Sequence, residues 1–136
     1  GVPGTPVIIP STPPPSTIIT PIVNRPATYT LQPGEHPYCI ARRFNVDPQE
    51  LLTLNNLSSG DIYYPNLTLR IPQTGNTFPG ERALRSHPDT YTVSNSQDTI
   101  YRIACYYGDV DPANIAAANN LVAPYTLQVG QTLTIP

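Results

Sequence analysis

The sequence is poor in charge, since only 12% of its 136 residues are Asp, Glu, Lys or Arg and the formal net charge is −2. Its seven basic residues are scattered, whereas nucleic acids and anionic membranes are held by a basic patch or stripe. Its apolar runs are only a few residues long, too short for a transmembrane helix. The sequence therefore argues against a nucleic-acid partner and against a membrane span.

Residues that carry out chemistry are also scarce. The two cysteines and two histidines lack the CxxC or HxxxH spacing of a zinc site, and we expect neither a metal nor a cofactor. His36 with Cys39 could suggest a base and a nucleophile, and Glu35 with Glu50 a pair of carboxylates. Because His36 has no evident orienting acid and Glu50 is explained as a helix cap, we expect no enzymatic activity.

Proline is abundant at one end. Residues 1–27 hold eight of the 18 prolines and no acidic residue. Proline fixes φ and removes a backbone donor, so this tail is predicted to be extended or polyproline-like and unable to fold alone. It could be a linker, but the β-branched runs at 7–9 and 17–23 favour docking on a sheet edge or in a cleft, either of its own units or of a neighbouring copy.

A tail that docks on the next copy would make the chain the subunit of an extracellular filament. Hydroxyl side chains along the tail would then be available for sugars. The candidate O-glycosylation sites are Thr5, Ser11, Thr12, Ser16, Thr17 and Thr20.

The rest of the sequence contains a repeat. The stretch "YTLQPGEHPYCIARRF", residues 29–44, returns as "YTVSNSQDTIYRIACYY", residues 91–107. Two single-residue insertions in the second copy account for the drift in spacing. Insertions between elements leave the elements intact, so we expect both copies to share one fold.

Each copy is predicted to run strand, helix, helix, strand. "TYTLQ" and "TYTVS" open the copies, and "LTLRIP" and "QTLTIP" close them, with the alternation of β-formers typical of strands. Between them, Ile, Ala and an aromatic residue share one face of a short helix. Asp-Pro then starts a second helix, with Glu50 as a capping-box residue in the first copy, and a pair of asparagines ends it. The predicted class is α+β, with units at 28–72 and 90–136 and a connector at 73–89.

These residues carry a resemblance to a known family. The run "YTLQPGEHPYCIARRFNVDPQELLTLNNL" followed by "LTLRIP" resembles a LysM domain, with its Y-x-V-x-x-G-D-x-L-x-x-I-A opening and its central P-x-x-L-x-x-x-N helix. The second copy closes with "VGQTLTIP", as the family does. The resemblance covers residues 28–72 and 90–136 and implies two small βααβ units, each with a two-stranded antiparallel sheet packed on two helices.

The resemblance also implies a function, which is the non-catalytic binding of glycans that contain N-acetylglucosamine, such as peptidoglycan or chitin. In the family the sugar lies between the loop after the first strand and the loop before the last. The residues carried over from the first copy are Gly34, Glu35, His36 and Pro37, facing Asn56, Leu57, Ser58 and Ser59. Those from the second copy are Ser96, Gln97, Asp98 and Thr99, facing Leu121, Val122, Ala123 and Pro124.

Both copies depart from the family pattern. The first has "EHP" where the family has "DTL", and the second keeps "DTI" but lacks the loop glycine. The chain also has no Trp to stack on a sugar ring. A purely structural use of the fold therefore remains the alternative.

The two cysteines are predicted to form a disulfide between the units. At about 100° per residue, Cys39 is turned away from the face of its helix that carries Ile40, Ala41 and Phe44, and Cys105 is turned away in the same manner. A bridge would lay the two first helices against each other and would indicate an oxidising, extracellular or cell-surface location. The alternative is two small buried apolar residues.

The connector is predicted to be ordered. Phe78 and Leu84 are its expected apolar anchors, and Arg82 and Arg85 are expected to pair with carboxylates of either unit. An ordinary polar linker is the alternative.

Overall fold

The protein, for which we obtained a computed structural model, forms two successive βααβ units, and the structure describes residues 25–60 and 63–136. In unit 1 (residues 28–72) the elements are β1 (Thr28–Thr30), α1 (Pro37–Phe44), α2 (Pro48–Leu54) and β2 (Thr68–Arg70). In unit 2 (residues 90–136, with β3 beginning one residue earlier) they are β3 (Asp89–Thr92), α3 (Ile100–Tyr107), α4 (Pro112–Ala118) and β4 (Thr132–Ile135). The predicted α+β class is confirmed, whereas the prediction of an extended tail falls largely on residues 1–24, outside the described residues.

Each unit contains one two-stranded antiparallel sheet. β1 pairs with β2 so that Tyr29 lies opposite Leu69, and β3 pairs with β4 so that Tyr91 lies opposite Leu133. The leucines are fully buried, while their neighbours along the strand point to solvent. This period of two places one face of each sheet on the helices.

The helices begin where the sequence supplies a side-chain cap. Asp47 and Asp111 accept hydrogen bonds from backbone amides of α2 and α4, each of which has proline at its first position. Thr99 caps α3 in the same way. Glu50 differs from the expected capping box, because Thr74 and Asn76 donate to its carboxylate from the connector.

The asparagine that follows each second helix ties that helix to the last strand. The amide of Asn55 donates to Leu51 O and Arg70 O at 2.7 and 2.9 Å, and its oxygen accepts from Arg70 N at 2.7 Å. Asn119 makes the same three bonds to Ile115 and Thr134 at 2.8 Å each. The side-chain amide thus replaces a strand partner at the sheet edge, which explains the Asn of the repeat motif.

Each unit has its own hydrophobic core. The buried residues of unit 1 are joined by Phe78 of the connector, which is only 8% exposed. The core of unit 2 contains Tyr107, whose hydroxyl donates to Asp89 at 2.7 Å. Because neither core is large, packing between the units adds to what each unit buries alone.

The contacts that hold the connector agree only in part with those predicted from the sequence. Phe78 is buried, as expected of an anchor, but the Leu84 side chain is 54% exposed and only its backbone amide is engaged, at 2.8 Å from Tyr107 O. Arg82 donates to the carbonyls of Arg42 and Arg43 at the end of α1, each at 2.8 Å. The last carbonyls of a helix have no partner within the helix, so they can accept hydrogen bonds from a guanidinium.

Arg85 of the connector lies over the rings of Tyr91, Tyr106 and Tyr107, with its guanidinium carbon 5.3 to 5.8 Å from their centroids. Besides these rings, the charge of Arg85 acts on the Asp89 carboxylate, whose pKa is lowered first by the hydrogen bond from Tyr107 and also by Arg85.

A disulfide joins Cys39 of α1 to Cys105 of α3, with the Cα atoms 5.4 Å apart. The predicted pairing is thus present in the structure, and it lays the two first helices against each other. Cys39 is turned from its own core, as expected, yet it is only 1% exposed, because unit 2 covers it.

Candidate functional site

The two loops predicted to hold sugar leave the sheet of each unit at the same end. In unit 1 the last paired residues are Leu31 and Leu67, with the amide of Leu31 2.9 Å from Leu67 O. In unit 2, Val93 N lies 2.8 Å from Gln131 O. The loop after the first strand and the segment before the last strand therefore start side by side, whereas the predicted residues at 56–59 and 121–124 directly follow α2 and α4.

Glu35, in the first loop of unit 1, is buried, and its carboxylate accepts hydrogen bonds from three residues. Its carboxylate accepts from Tyr29 Oη at 2.8 Å, Gln32 N at 2.7 Å and Arg43 Nη1 at 2.6 Å. Burial raises the pKa of Tyr29 well above its usual value, partly opposed by the charge of Arg43. The Glu35 carboxylate organises the loop from within, so a sugar would meet the surrounding loop residues first.

Asp98 is the counterpart of Glu35 in unit 2. Its carboxylate accepts from Tyr91 Oη and Tyr106 Oη, each at 2.9 Å, and Arg102 Nε lies 3.9 Å away. Burial also raises the pKa of Tyr91 and of Tyr106. Each first loop is thus built around an internal carboxylate that binds the tyrosine of the first strand, a role that the sequence pattern alone did not show.

The first loops of the two units meet at the interface. Gly34 has φ of 89°, and a Cβ atom there would lie 2.9 Å from Arg102 Cβ in α3. Thr99 Oγ1 donates to Pro33 O at 3.4 Å. Gly34 and Thr99, predicted for two separate sugar sites, are therefore brought together where the units touch.

The remaining predicted residues of unit 1 divide into buried and exposed. Pro37 is buried, and Leu57 packs against the core. His36 is exposed at the cap of α1, where its Nδ1 accepts from Cys39 N at 3.3 Å; partial desolvation and then the charge of Arg42 lower its pKa, which favours the neutral ring. The exposed residues of the second loop are Asn56, Ser58 and Ser59.

Unit 2 presents a more open loop pair. Ser96 and Gln97 are exposed on the first loop, and Val122, Ala123 and Pro124 are exposed on the second, with Val122 at 80%. Only Leu121 packs against the core. The exposed residues of unit 2 thus include hydroxyl and amide groups on one loop and apolar groups on the other, the kinds of group that bind a neutral acetamido sugar.

A cleft of about 190 Å³ lies between the units. We call it the inter-repeat cleft, and its lining residues are Tyr29, Arg43 and Phe44 from unit 1 and Ile100, Tyr101, Asp111, Pro112, Ala113 and Tyr125 from unit 2. Sequence reasoning missed it, because it exists only through the relative placement of the units. The tyrosines at 101 and 125, next to predicted loop residues, were the available signal.

The structure offers no free thiol at Cys39, since that sulfur is bonded to Cys105. Among residues 25–60 and 63–136, no group of three or more His, Cys, Asp or Glu could hold a metal ion. Over that same part of the chain, no helix has the length and apolar character needed to cross a membrane.

Both units match a known domain family. Residues 29–72 and 91–136 each match the LysM domain family, which together is more than half of the chain. Among solved structures, the spore cortex-lytic enzyme SleL of Bacillus megaterium QM B1551 is similar over 80% of this chain and 22% of its own, at 27% identity and a TM-score of 0.31.

Two curated relatives are N-acetylmuramoyl-L-alanine amidases named sle1. The one from Staphylococcus saprophyticus is 32% identical over 108 residues, which is 79% of this chain and 31% of the relative. The one from Staphylococcus aureus strain USA300 is 28% identical over 87 residues, or 62% of this chain and 26% of the relative. The chain spans about a third or less of these relatives, and the matched part corresponds to tandem LysM repeats.

Proposed function

The chain belongs to the LysM family, and from that membership we propose that it is a non-catalytic, extracellular module that binds glycans containing N-acetylglucosamine, of the peptidoglycan or chitin type. The proposal is carried by the exposure of the predicted loop residues of unit 2, Ser96 and Gln97 on the first loop and Val122 and Ala123 on the second. The amidase relatives support peptidoglycan as one such glycan. This chain would supply the binding and not the cleavage of that polymer.

The two units are expected to contribute unequally. In unit 1, Glu35 and Pro37 are buried and Gly34 packs on Arg102, so fewer groups of its first loop remain accessible. Unit 2 is therefore proposed as the stronger site. Two sites on one rigid frame would still give avidity on a polymer, because the second contact becomes intramolecular.

An extracellular location is supported by the Cys39–Cys105 disulfide, because such bridges persist in oxidising compartments. A LysM chain that binds cell-wall or chitin-type polymers would also meet its ligand there. Detection of the protein in the secreted or cell-surface fraction would support this part of the proposal, and recovery only from the reduced cytosolic fraction would overturn it.

The binding test is a titration of the whole chain with an N-acetylglucosamine tetrasaccharide, followed by calorimetry and by NMR of the backbone amides. We expect heat of binding and shifts at Ser96, Gln97, Val122 and Ala123, with smaller shifts at Asn56, Ser58 and Ser59. A glucose tetrasaccharide, which lacks acetamido groups, is the ligand control. Neither heat nor shifts at millimolar sugar would overturn the proposal.

A matched pair of variants sharpens the test. Val122→Asp places a charge in the proposed site and is expected to weaken binding several-fold, because a desolvated carboxylate beside the acetyl group is unfavourable. Leu84→Asp makes the same kind of change at an apolar residue that is 54% exposed and lies in the connector, outside both loop pairs. Equal affinities for the two variants would place the sugar elsewhere.

A second candidate function is a structural one, in which residues 1–27 dock on a neighbouring copy to build a filament whose tail hydroxyls carry O-glycans. The observation in its favour is an open, largely apolar groove of about 470 Å³ on unit 1. The groove is lined by Gln49, Glu50, Thr53, Leu54, Pro72, Gln73 and Thr74. Gln73 also donates to Pro26 O at 3.1 Å, so Pro26, near the end of the tail, lies beside this groove.

The apolar run at 17–23 has the composition to fill such a groove. Cross-linking between a cysteine placed at Ile18 and one at Leu54, in a mixture of two mass-labelled chains, tests the arrangement. Cross-links between differently labelled chains are expected, and deletion of residues 1–24 from the chain without the added cysteines is expected to reduce the particle size. Cross-links confined to single chains, or a particle size unaffected by the deletion, would overturn the filament.

A further inference from the structure

The inter-repeat cleft is walled by aromatic rings from both units. Tyr29 and Phe44 of unit 1 pack edge to face with their centroids 5.5 Å apart. Tyr101 and Tyr125 of unit 2 do the same at 6.5 Å. All four side chains are half-buried, so parts of their rings remain accessible from the cleft. Half-exposed aromatic rings in a concave site are suited to the C–H face of a flat, amphipathic ligand.

The polar groups of the cleft are few. Arg43 is only 4% exposed, and its Nη1 donates to Glu35 and Tyr29, but its Nε is buried without a hydrogen-bond partner in the structure. Its Nη2 donates to the sulfurs of Cys39 and Cys105, so the guanidinium is held within the protein. Asp111, which is exposed at the rim, accepts from Ala113 N. Its carboxylate is therefore an acceptor that a ligand in the cleft can reach.

The charges of the cleft argue against an anionic ligand. The positive charge of Arg43 is neutralised by Glu35, whose Oε2 lies 2.6 Å from Nη1. The carboxylate of Asp111 is then the remaining charge among the lining residues. A neutral ligand with hydroxyl or amide groups fits this balance better than a phosphate or sulfate does.

We propose that the inter-repeat cleft is a further saccharide subsite, in which one pyranose ring stacks on Tyr101 and Tyr125 and donates from its hydroxyl groups to Asp111. This subsite is distinct from the loop pairs and rests on the proposed glycan-binding function. Tyr125 directly follows Pro124 of the unit 2 loop pair. A glycan chain held by that loop pair can therefore extend into the cleft, and its affinity depends on its length.

The proposal is tested by measuring the affinities of N-acetylglucosamine oligomers of two to six residues for the whole chain and for two variants, Tyr101→Leu and Tyr125→Leu. Loss of one stacking ring is expected to weaken binding of the longer oligomers about threefold to tenfold. The affinity for the dimer, which occupies only the loop pair, is expected to stay unchanged. Tyr64→Leu, at a tyrosine that is 68% exposed and outside the cleft, is the matched control.

Tyr101 and Tyr125 also pack against the core of unit 2, so folding is controlled by a second pair of variants. Tyr101→Phe and Tyr125→Phe keep the ring and are expected to keep the affinity for the long oligomers. Equal affinity of the long oligomers for the Leu variants and the wild-type chain would overturn the subsite. NMR shifts at Ala113 that appear with the hexamer and not with the dimer would support it.

The outcomes separate the two proposals. If the wild-type chain binds the dimer and Val122→Asp abolishes that binding, the proposed function stands whatever the Leu variants show. If the long oligomers then bind the Leu variants as they bind wild type, the cleft alone is refuted. If the wild-type chain binds no oligomer, both proposals fail.

Discussion

Glu35 and Arg43 form an ion pair inside unit 1, with Oε2 and Nη1 2.6 Å apart and both side chains almost inaccessible to solvent. The equivalent pair in unit 2 is Asp98 and Tyr106, which are joined by a neutral donor at 2.9 Å. In each unit the pair holds the first loop against the tyrosine of the first strand. Removing the hydrogen-bond donor has different consequences in the two units. In unit 1 the donor, Arg43, carries the charge that compensates the buried carboxylate, whereas in unit 2 the donor, Tyr106, is neutral.

Arg43→Met is therefore expected to be strongly destabilising. It leaves the Glu35 carboxylate buried without its counter-charge, and breaking such a pair lowers the free energy of unfolding by roughly 3–5 kcal/mol. Chemical denaturation measures the change. Arg102→Met is the comparison, and it should cost less, because Arg102 is partly exposed, its Nε lies 3.9 Å from Asp98, and that carboxylate keeps its bonds from Tyr91 and Tyr106. Similar costs for the two variants would contradict this account.

The disulfide is expected to stabilise the pair of units. The bridge closes a loop between cysteines 66 positions apart, which corresponds to about 4 kcal/mol in the chain-entropy model. Replacing both cysteines with serine should lower the unfolding free energy by that order. Alkylation of the denatured wild-type chain should add no mass before reduction and two groups after it. Alkylation without reductant would show that the thiols are free.

Local features of the fold could be predicted from the sequence. The bounds of α1 and the start of α2 follow from the helical pattern after Pro37 and from Asp47-Pro48, because caps and periodicity act within a few residues. The bridge between the cysteines could be inferred from the faces of two helices. These features depend on neighbours along the chain.

The placement of one unit on the other could not be predicted, because it depends on contacts between distant residues. Gly34 packs on Arg102, and Arg82 binds the end of α1, although neither contact follows a sequence period. The burial of Glu35 was missed for the same reason, since it requires Tyr29 and Arg43 to converge on one loop. The candidate loops were found from the family pattern, whereas the inter-repeat cleft required the structure.

Asn119 provides a test of the tie between α4 and β4. Its side chain makes three hydrogen bonds of 2.8 Å to Ile115 and Thr134. Asn119→Ala would leave these backbone groups without their partner, at a cost of roughly 1–3 kcal/mol in unfolding free energy. Asn114→Ala, at an exposed position within α4, should be neutral or slightly stabilising because Ala favours helix. Thermal unfolding of both variants distinguishes a specific tie from a general effect of losing an asparagine.

The tyrosines of the two units are expected to limit stability at high pH. Burial raises the pKa of Tyr29 above its usual value, and burial together with the hydrogen bond to Asp89 raises that of Tyr107 to about 12. In the unfolded chain tyrosines ionise near pH 10. Above that pH the unfolded state loses protons that the folded state keeps, so the stability that is present below about pH 10 falls as the pH rises toward 12.

Few side chains other than tyrosine titrate in this pH range in the present chain. All seven basic side chains are arginines, so no lysine titrates there, and both cysteines are in the disulfide. Urea unfolding at pH 8, 10 and 11.5, with absorbance of the phenolate as a second readout, measures the effect. Tyr107→Phe should flatten the decline, whereas Tyr64→Phe, at an exposed tyrosine, should leave it unchanged. A free energy of unfolding that stays constant from pH 8 to 11.5 would show that the buried phenols are not coupled to folding.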